Sequence, residues 1–108
     1  IHGAVRGFFG QATTLIPGRT ACLKCLVAQA PPPEACPILG GTCGVIGAVQ
    51  ATEAVKVLTG IGEPLADRLF LWDGRTGEGT LMHTERNPRC SVCGEKTDKP
   101  YPKRRSRP

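Results

Sequence analysis

The chain has 108 residues, of which 40% are hydrophobic, and a formal net charge of +5. This length allows at most one domain with a modest core. It contains no apolar run near the ~20 residues of a membrane-spanning helix, and its start lacks the charged-then-apolar order of a signal peptide. We therefore expect a soluble, cytoplasmic protein without a membrane partner.

The positive charge is concentrated at the C-terminal end. Residues 1–94 contain eight Lys/Arg and seven Asp/Glu, whereas residues 95–108 contain six and two. Residues 95–108 are also rich in proline and contain few apolar side chains that could form a core, which is typical of a disordered segment. We predict a folded unit over residues 1–94 and a disordered basic tail over residues 95–108. The near-neutral folded unit makes nucleic acid an unfavoured partner.

The first predicted elements are two strands, over residues 4–9 and 12–16, because β-branched and aromatic residues are concentrated there. Gly10 and Gln11 are predicted to join them as a hairpin turn. Pro17 and Gly18 predict a type II turn, since glycine accepts the positive φ that such a turn requires. A proline-rich connection over residues 28–35 follows and is expected to be extended.

A helix is predicted over residues 44–59, with Gly60 as its left-handed C-terminal cap. At 100° per residue, small and apolar residues share one face, which we expect to pack closely on a sheet. These residues are Gly47, Ala51, Ala54, Val55 and Leu58. The opposite face, expected to meet solvent, carries Gln50, Glu53 and Lys56.

Two further strands are predicted over residues 68–72 and 79–85, joined by a glycine-rich turn over residues 73–77. The Asp73 side chain is expected to accept hydrogen bonds from N–H groups of that turn. The whole order is that of a mixed α/β unit that extends a larger sheet.

Two Cys-x-x-Cys motifs bracket the chain, and we call them the first knuckle (residues 22–25) and the second knuckle (residues 90–93). Their four thiolates, from Cys22, Cys25, Cys90 and Cys93, match the ligand set of a closed tetrahedral zinc site. The 64 residues between the knuckles exceed the ~15–20 of an ordinary zinc ribbon, so a folded unit must lie between them. Structural disulfides, or a redox pair at the first knuckle, are the alternatives.

These motifs together resemble the ThiF/MoeB/HesA-type adenylyltransferases, relatives of the ubiquitin-activating enzymes. The matching stretches follow the family order and cover nearly all of residues 3–94. They include Gly7-Phe8-Phe9-Gly10-Gln11, Pro17-Gly18, Cys22-Leu-Lys-Cys25-Leu26, Gly44-Val-Ile-Gly47, Gln50-Ala-Thr-Glu-Ala54, Lys56, Leu58-Thr-Gly60, the strand that ends in Asp73, and Arg86-Asn-Pro-Arg-Cys90-Ser-Val-Cys93-Gly94.

The resemblance implies the C-terminal portion of a Rossmann-like fold, with mixed or antiparallel strands packed on one main helix beside a four-cysteine structural zinc site. It also implies ATP-dependent adenylation of the C-terminal glycine of a ubiquitin-like sulfur-carrier or modifier protein, in a thiamin, molybdopterin or tRNA-thiolation type of pathway. The hairpins and the crossover are expected to help form the groove for that carrier protein. The complete enzyme is expected to form a homodimer.

ATP and Mg²⁺ would bind a nucleotide-binding half that these residues do not contain, so no nucleotide ligand is assigned here. We expect this segment alone to be inactive. Because it starts at Ile1 rather than Met, we also expect it to belong to a longer protein. The resemblance makes Cys36, in the crossover, the candidate reactive cysteine. Cys43 is a second candidate, and a buried apolar role is the alternative for both.

Two other functions stay open at this point. One is a free-standing, zinc-stabilised binding module whose basic tail contacts nucleic acid or an acidic partner. The other is a thiol–disulfide or sulfurtransferase protein that uses Cys36.

Overall fold

A computed structural model describes residues 1–26 and 37–94. Four strands, β1 (His2–Arg6), β2 (Phe9–Thr13), β3 (Arg68–Asp73) and β4 (Glu78–His83), form one antiparallel sheet in the order β1-β2-β3-β4. The helices are a short α1 (Leu23–Leu26) and the main α2 (Gly40–Thr59). This confirms the predicted α/β fold with its strands beside one main helix. The predicted extended connection and basic tail lie outside the described residues.

The turn between β1 and β2 differs from the prediction. Arg6 pairs with Phe9, so the two-residue loop is Gly7-Phe8, and Gly7 adopts a positive φ of 57°. A tight hairpin turn needs such a residue, and glycine supplies it without steric cost. The predicted turn residues Gly10 and Gln11 lie inside β2 instead.

A local glycine cap determines where α2 ends, and a tertiary hydrogen bond determines where it begins. The helix ends as predicted at Gly60, which has a φ of 74° and donates its N–H to the Lys56 carbonyl at 2.9 Å. It begins at Gly40, four residues before the predicted start. The Thr42 hydroxyl donates a 2.7 Å hydrogen bond to the Gly7 carbonyl, which anchors the first helical turn to the β1–β2 loop. This tertiary contact explains the earlier start.

The predicted buried face of α2 is wrong. Val55 is 57% exposed and Leu58 is 73% exposed, whereas the buried helix residues are Thr42, Ile46 and Glu53. The close approach of helix and sheet comes from glycines on the strands rather than on the helix. A Cβ added to Gly10 would lie 2.4 Å from the Ile46 side chain, and one added to Gly3 would lie 2.4 Å from Gln50.

We expect Gly10→Ala to lower the free energy of unfolding by about 1–3 kcal/mol, because its methyl group would overpack against Ile46. The matched control is Gly44→Ala within α2, where an added Cβ meets no described atom within 4 Å. That control should instead stabilise the helix by up to about 1 kcal/mol. Urea unfolding measures both effects, and equal effects of the two variants would contradict this packing.

Glu53 forms a buried polar network, although the helical pattern assigned it to the solvent-facing side. Its Oε1 accepts a hydrogen bond from Lys56 Nζ at 2.6 Å. Its Oε2 accepts from the Thr14 hydroxyl and from the Leu65 N–H, both at 2.6 Å. Glu53 therefore connects α2 to the end of β2 and to the segment that leads into β3.

The network also determines the ionisation of Glu53. Burial by itself would raise the pKa of this carboxyl group, but the hydrogen bonds from Lys56, Thr14 and Leu65 outweigh burial and lower its pKa below the ordinary value. The carboxylate is thus the form that the folded protein prefers.

The β3–β4 hairpin agrees with the sequence prediction apart from its strand bounds: β3 extends one residue further, to Asp73, and β4 runs from Glu78 to His83. Asp73 pairs with Glu78, and the Asp73 carboxylate accepts a 3.0 Å hydrogen bond from the Arg75 N–H, as expected. Among the helices of the described ranges, none has both the length and the apolar character needed to cross a bilayer.

Candidate functional site

The first knuckle follows a rigid turn at the end of the first hairpin. Gly18 has a φ of 82°, as its place in the predicted type II turn requires, and the N–H groups of Arg19 and Thr20 both donate to the Ile16 carbonyl at 3.0 Å. The buried Thr20 hydroxyl accepts from the Ile16 N–H at 2.9 Å. Cys22 begins the next turn, in which its carbonyl accepts the Cys25 N–H at 3.0 Å.

The second knuckle is a compact turn that follows β4. The Cys90 N–H donates to the Asn87 carbonyl at 3.0 Å, and the Gly94 N–H donates to the Cys90 carbonyl at 2.9 Å. Gly94 is buried, and a Cβ at this position would lie 2.4 Å from the Cys90 carbonyl oxygen. The turn therefore has no room for a larger residue after Cys93.

The two knuckles meet. The Sγ atoms of Cys22 and Cys25 are 3.7 Å apart, those of Cys22 and Cys90 are 3.6 Å apart, and those of Cys25 and Cys93 are 3.4 Å apart. All four sulfurs lie within 4.8 Å of one another. A zinc–sulfur bond of about 2.3 Å in tetrahedral geometry requires sulfurs about 3.8 Å apart. The cluster could hold a metal ion, and its dimensions fit a tetrahedral four-sulfur site.

Backbone N–H groups shape the electrostatics of this cluster. A hydrogen bond from the Asn87 N–H lowers the pKa of Cys25, and bonds from the N–H groups of Cys93 and Val92 lower the pKa of Cys90 to about 6. Burial is the largest cause that raises the pKa of Cys22 to about 11. Four neighbouring thiolates repel one another, and a divalent cation compensates that repulsion.

Among the described cysteines, Cys43 lies outside this cluster. Cys43 is a half-buried thiol in the first turn of α2. Cys36 lies outside the described residues, so its reactivity stays a prediction.

Arg86 belongs to the motif around the second knuckle, but the sequence pattern predicts no role for it. Its guanidinium group contacts both knuckle regions, with donors to the carbonyls of Gly18 and Cys93. Arg86 and Gly18 are 68 residues apart in the chain, so motif spacing could not predict the contact between them.

A second candidate site is an open groove on the sheet. Gly3 and Gly10 face α2, and strand alternation places their neighbours Ala4 and Gln11 on the opposite face. A groove of about 690 Å³ lies there and crosses all four strands. Its lining side chains include Ala4, Arg6, Phe9, Gln11, Leu71, Asp73, Glu78 and Thr80. The Arg75 guanidinium lies 4.6 Å from the centre of the Phe9 ring.

Comparison with known proteins gives relatives along almost the whole chain. It is 42% identical over 101 residues to the SAMP-activating enzyme E1 of Haloferax volcanii, a match that covers 88% of this chain and 37% of the relative. It is 39% identical over 106 residues to the sulfur carrier protein adenylyltransferase of Thermus thermophilus, again covering 88% of this chain and 39% of the relative.

The chain is also 38% identical over 102 residues to the adenylyltransferase and sulfurtransferase MOCS3-1 of Zea mays, covering 88% of this chain but 22% of the relative. It thus spans less than two fifths of the length of these relatives. The model of the ThiF family matches residues 1–92. Because this match covers most of the sequence, the chain belongs to the ThiF family.

Proposed function

We propose that the chain is part of an ATP-dependent adenylyltransferase that activates the C-terminal glycine of a ubiquitin-like sulfur-carrier protein. The observation that carries this proposal is the 39% identity to a sulfur carrier protein adenylyltransferase across 88% of the chain. The complete enzyme binds ATP and Mg²⁺ through residues outside this segment and forms a homodimer. The segment alone is therefore inactive in adenylation.

Within that enzyme, Cys22, Cys25, Cys90 and Cys93 hold a structural Zn²⁺. The short distances among their sulfurs support this assignment. Four thiolates leave no coordination position for water or substrate, so the metal cross-links the chain rather than taking part in adenylation. The cross-link joins the segment after the first hairpin to the segment after the second, and it thereby ties the end of the central strand β2 to the end of the edge strand β4.

The groove on the open face of the sheet receives the carrier protein. Phe9 and Leu71 offer an apolar floor, and Arg6, Asp73 and Glu78 add charged groups. Binding sites of this kind commonly combine an apolar surface with a few polar groups that set orientation. The same face crosses both hairpins, so one carrier surface contacts all four strands.

We expect Thr80→Arg to weaken carrier binding by at least about tenfold, because the long charged side chain fills the groove. The matched control is Leu81→Arg, since Leu81 is exposed on the opposite face of the same strand. Carrier-dependent ATP–pyrophosphate exchange by the full-length enzyme is the measurement. The KM for the carrier should rise in Thr80→Arg, whereas kcat should change little.

This experiment tests the proposed activity and the proposed carrier site separately. Full-length protein that shows no carrier-dependent exchange with a ubiquitin-like sulfur carrier would contradict the proposed activity. Exchange that responds equally to Thr80→Arg and Leu81→Arg would keep the activity and contradict the groove as the carrier site.

A further inference from the structure

Arg86 connects the two regions that supply the four sulfurs. Its Nε donates a 2.9 Å hydrogen bond to the Cys93 carbonyl, and its Nη2 donates to the same oxygen. Its Nη1 donates a 3.1 Å hydrogen bond to the Gly18 carbonyl, 68 residues away in the chain. One planar group thus binds the end of the second knuckle and the turn that leads into the first knuckle.

The next residue shapes the second knuckle itself. The Asn87 carbonyl accepts the Cys90 N–H at 3.0 Å, which closes the turn that carries Cys90. Arg86 therefore lies at the base of the second knuckle, while its side chain reaches Gly18 in the turn before the first knuckle.

We infer that Arg86 is a positioning residue of the metal centre: its guanidinium group holds the two knuckles in the arrangement that tetrahedral coordination requires. The inference rests on the proposed metal centre. A site that is already arranged loses less conformational freedom when the metal binds, and it opens less often to release the metal. Groups that orient metal ligands typically change metal affinity by about 10- to 100-fold.

The chemistry of the side chain is specific to arginine. The guanidinium group is planar, stays charged and carries five N–H donors in a fixed geometry, so it can serve two carbonyls at once. A lysine ammonium group at the end of a flexible stem keeps the charge but not this geometry. Charge and bridging geometry can therefore be tested separately.

The experiment measures the rate of zinc transfer from the full-length protein to a colorimetric chelator. Arg86→Gln should release zinc about 10- to 100-fold faster than the unaltered protein, and Arg86→Lys should show an intermediate rate. The matched control is Arg89→Gln, which makes the same change at an exposed residue of the same loop. The Gly10→Ala variant is a second control, because it disturbs helix packing rather than the knuckles.

Substitution with Co²⁺ supplies a readout that general loss of stability would not change. The absorption of Co²⁺ bound to four thiolates reports tetrahedral coordination. In Co²⁺-saturated protein, Arg86→Gln should weaken or shift the absorption bands of tetrahedral coordination, whereas Arg89→Gln and Gly10→Ala should leave the spectrum unchanged. If Arg86→Gln fails to fold, Arg86→Lys takes its place in both measurements.

The outcomes separate this inference from the metal centre itself. Equal release rates for Arg86→Gln and Arg89→Gln, with normal zinc content, would overturn the role of Arg86 and leave the four-sulfur site intact. Release accelerated as much by Gly10→Ala would show a general stability effect and would also overturn it. Unaltered protein that folds without binding zinc would overturn both the site and the inference.

Discussion

Glu53→Gln is expected to lower the free energy of unfolding by about 2–4 kcal/mol. Glu53 is 1% exposed, and its two carboxylate oxygens accept hydrogen bonds from three donors. A glutamine side chain has only one acceptor oxygen, and its other polar group is an NH₂ donor. At least one of the three donor groups, on Lys56, Thr14 or Leu65, would then face the NH₂ group and lose its acceptor. The loss of charge also leaves the Lys56 ammonium group without its ion pair.

The pH dependence of this effect has a definite sign. Because folding lowers the pKa of Glu53, its contribution is fully present above the unfolded pKa of about 4.5 and is lost as pH falls through the lower folded pKa. The stability difference between unaltered protein and Glu53→Gln should therefore narrow as the pH falls below about 4.5.

Urea unfolding at several pH values measures both quantities. Glu63→Gln is the matched control. Glu63 is exposed, so this substitution makes the same chemical change at the surface. A stability difference that does not narrow as the pH is lowered, over the range in which the protein keeps its zinc and stays folded, would contradict the ionised state of Glu53. A loss no larger than that of Glu63→Gln would contradict the buried network.

Removal of the metal, or substitution of Cys90 by serine, is expected to abolish the folded structure of this segment. Structural zinc sites contribute about 10–16 kcal/mol of apparent binding free energy, whereas a small domain has a net stability of about 5–15 kcal/mol. Serine is a poor zinc ligand, and the three remaining thiolates would hold the metal weakly. The loss of binding energy is therefore comparable to or larger than the whole stability.

Elemental analysis of purified protein should give close to one zinc per chain, and circular dichroism should follow unfolding after a chelator is added. Cys43→Ser is the matched control, because Cys43 is a half-buried thiol outside the four-sulfur cluster. A protein that keeps its circular dichroism after complete zinc removal would contradict the structural role. So would equal loss of structure in Cys43→Ser and Cys90→Ser.

The elements that were predicted correctly from the sequence are determined by residues close to them in the chain. Gly60 ends α2 because glycine accepts a positive φ, and Pro17-Gly18 forms its turn for the same reason. The β3–β4 hairpin follows from two β-rich runs around a short glycine-rich loop. The Cys-x-x-Cys spacing places each pair of thiols on one turn, and the structure confirms that the pairs converge.

The wrong predictions concern the position of the first hairpin turn and the buried face of α2. In both cases the local sequence fits two arrangements equally well. Gly7 and Gly10 flank two phenylalanines, and either glycine could make a hairpin turn. The structure uses Gly7 for the turn because Gly10 is needed where Ile46 approaches the sheet. Small residues on α2 suggested its buried face, but the helix packs through Thr42 and Ile46.

By itself, the sequence determined the order of strands and helix, the position of the knuckles and the family resemblance, because these depend on short-range pattern. Tertiary structure alone decided which face of α2 is buried, why Glu53 is ionised inside the protein and how Arg86 meets Gly18. Each of these depends on groups that are far apart in the chain and become neighbours only when the sheet forms. Hydrogen bonds between such groups depend on distance in space, and that distance is not encoded in any local run of residues.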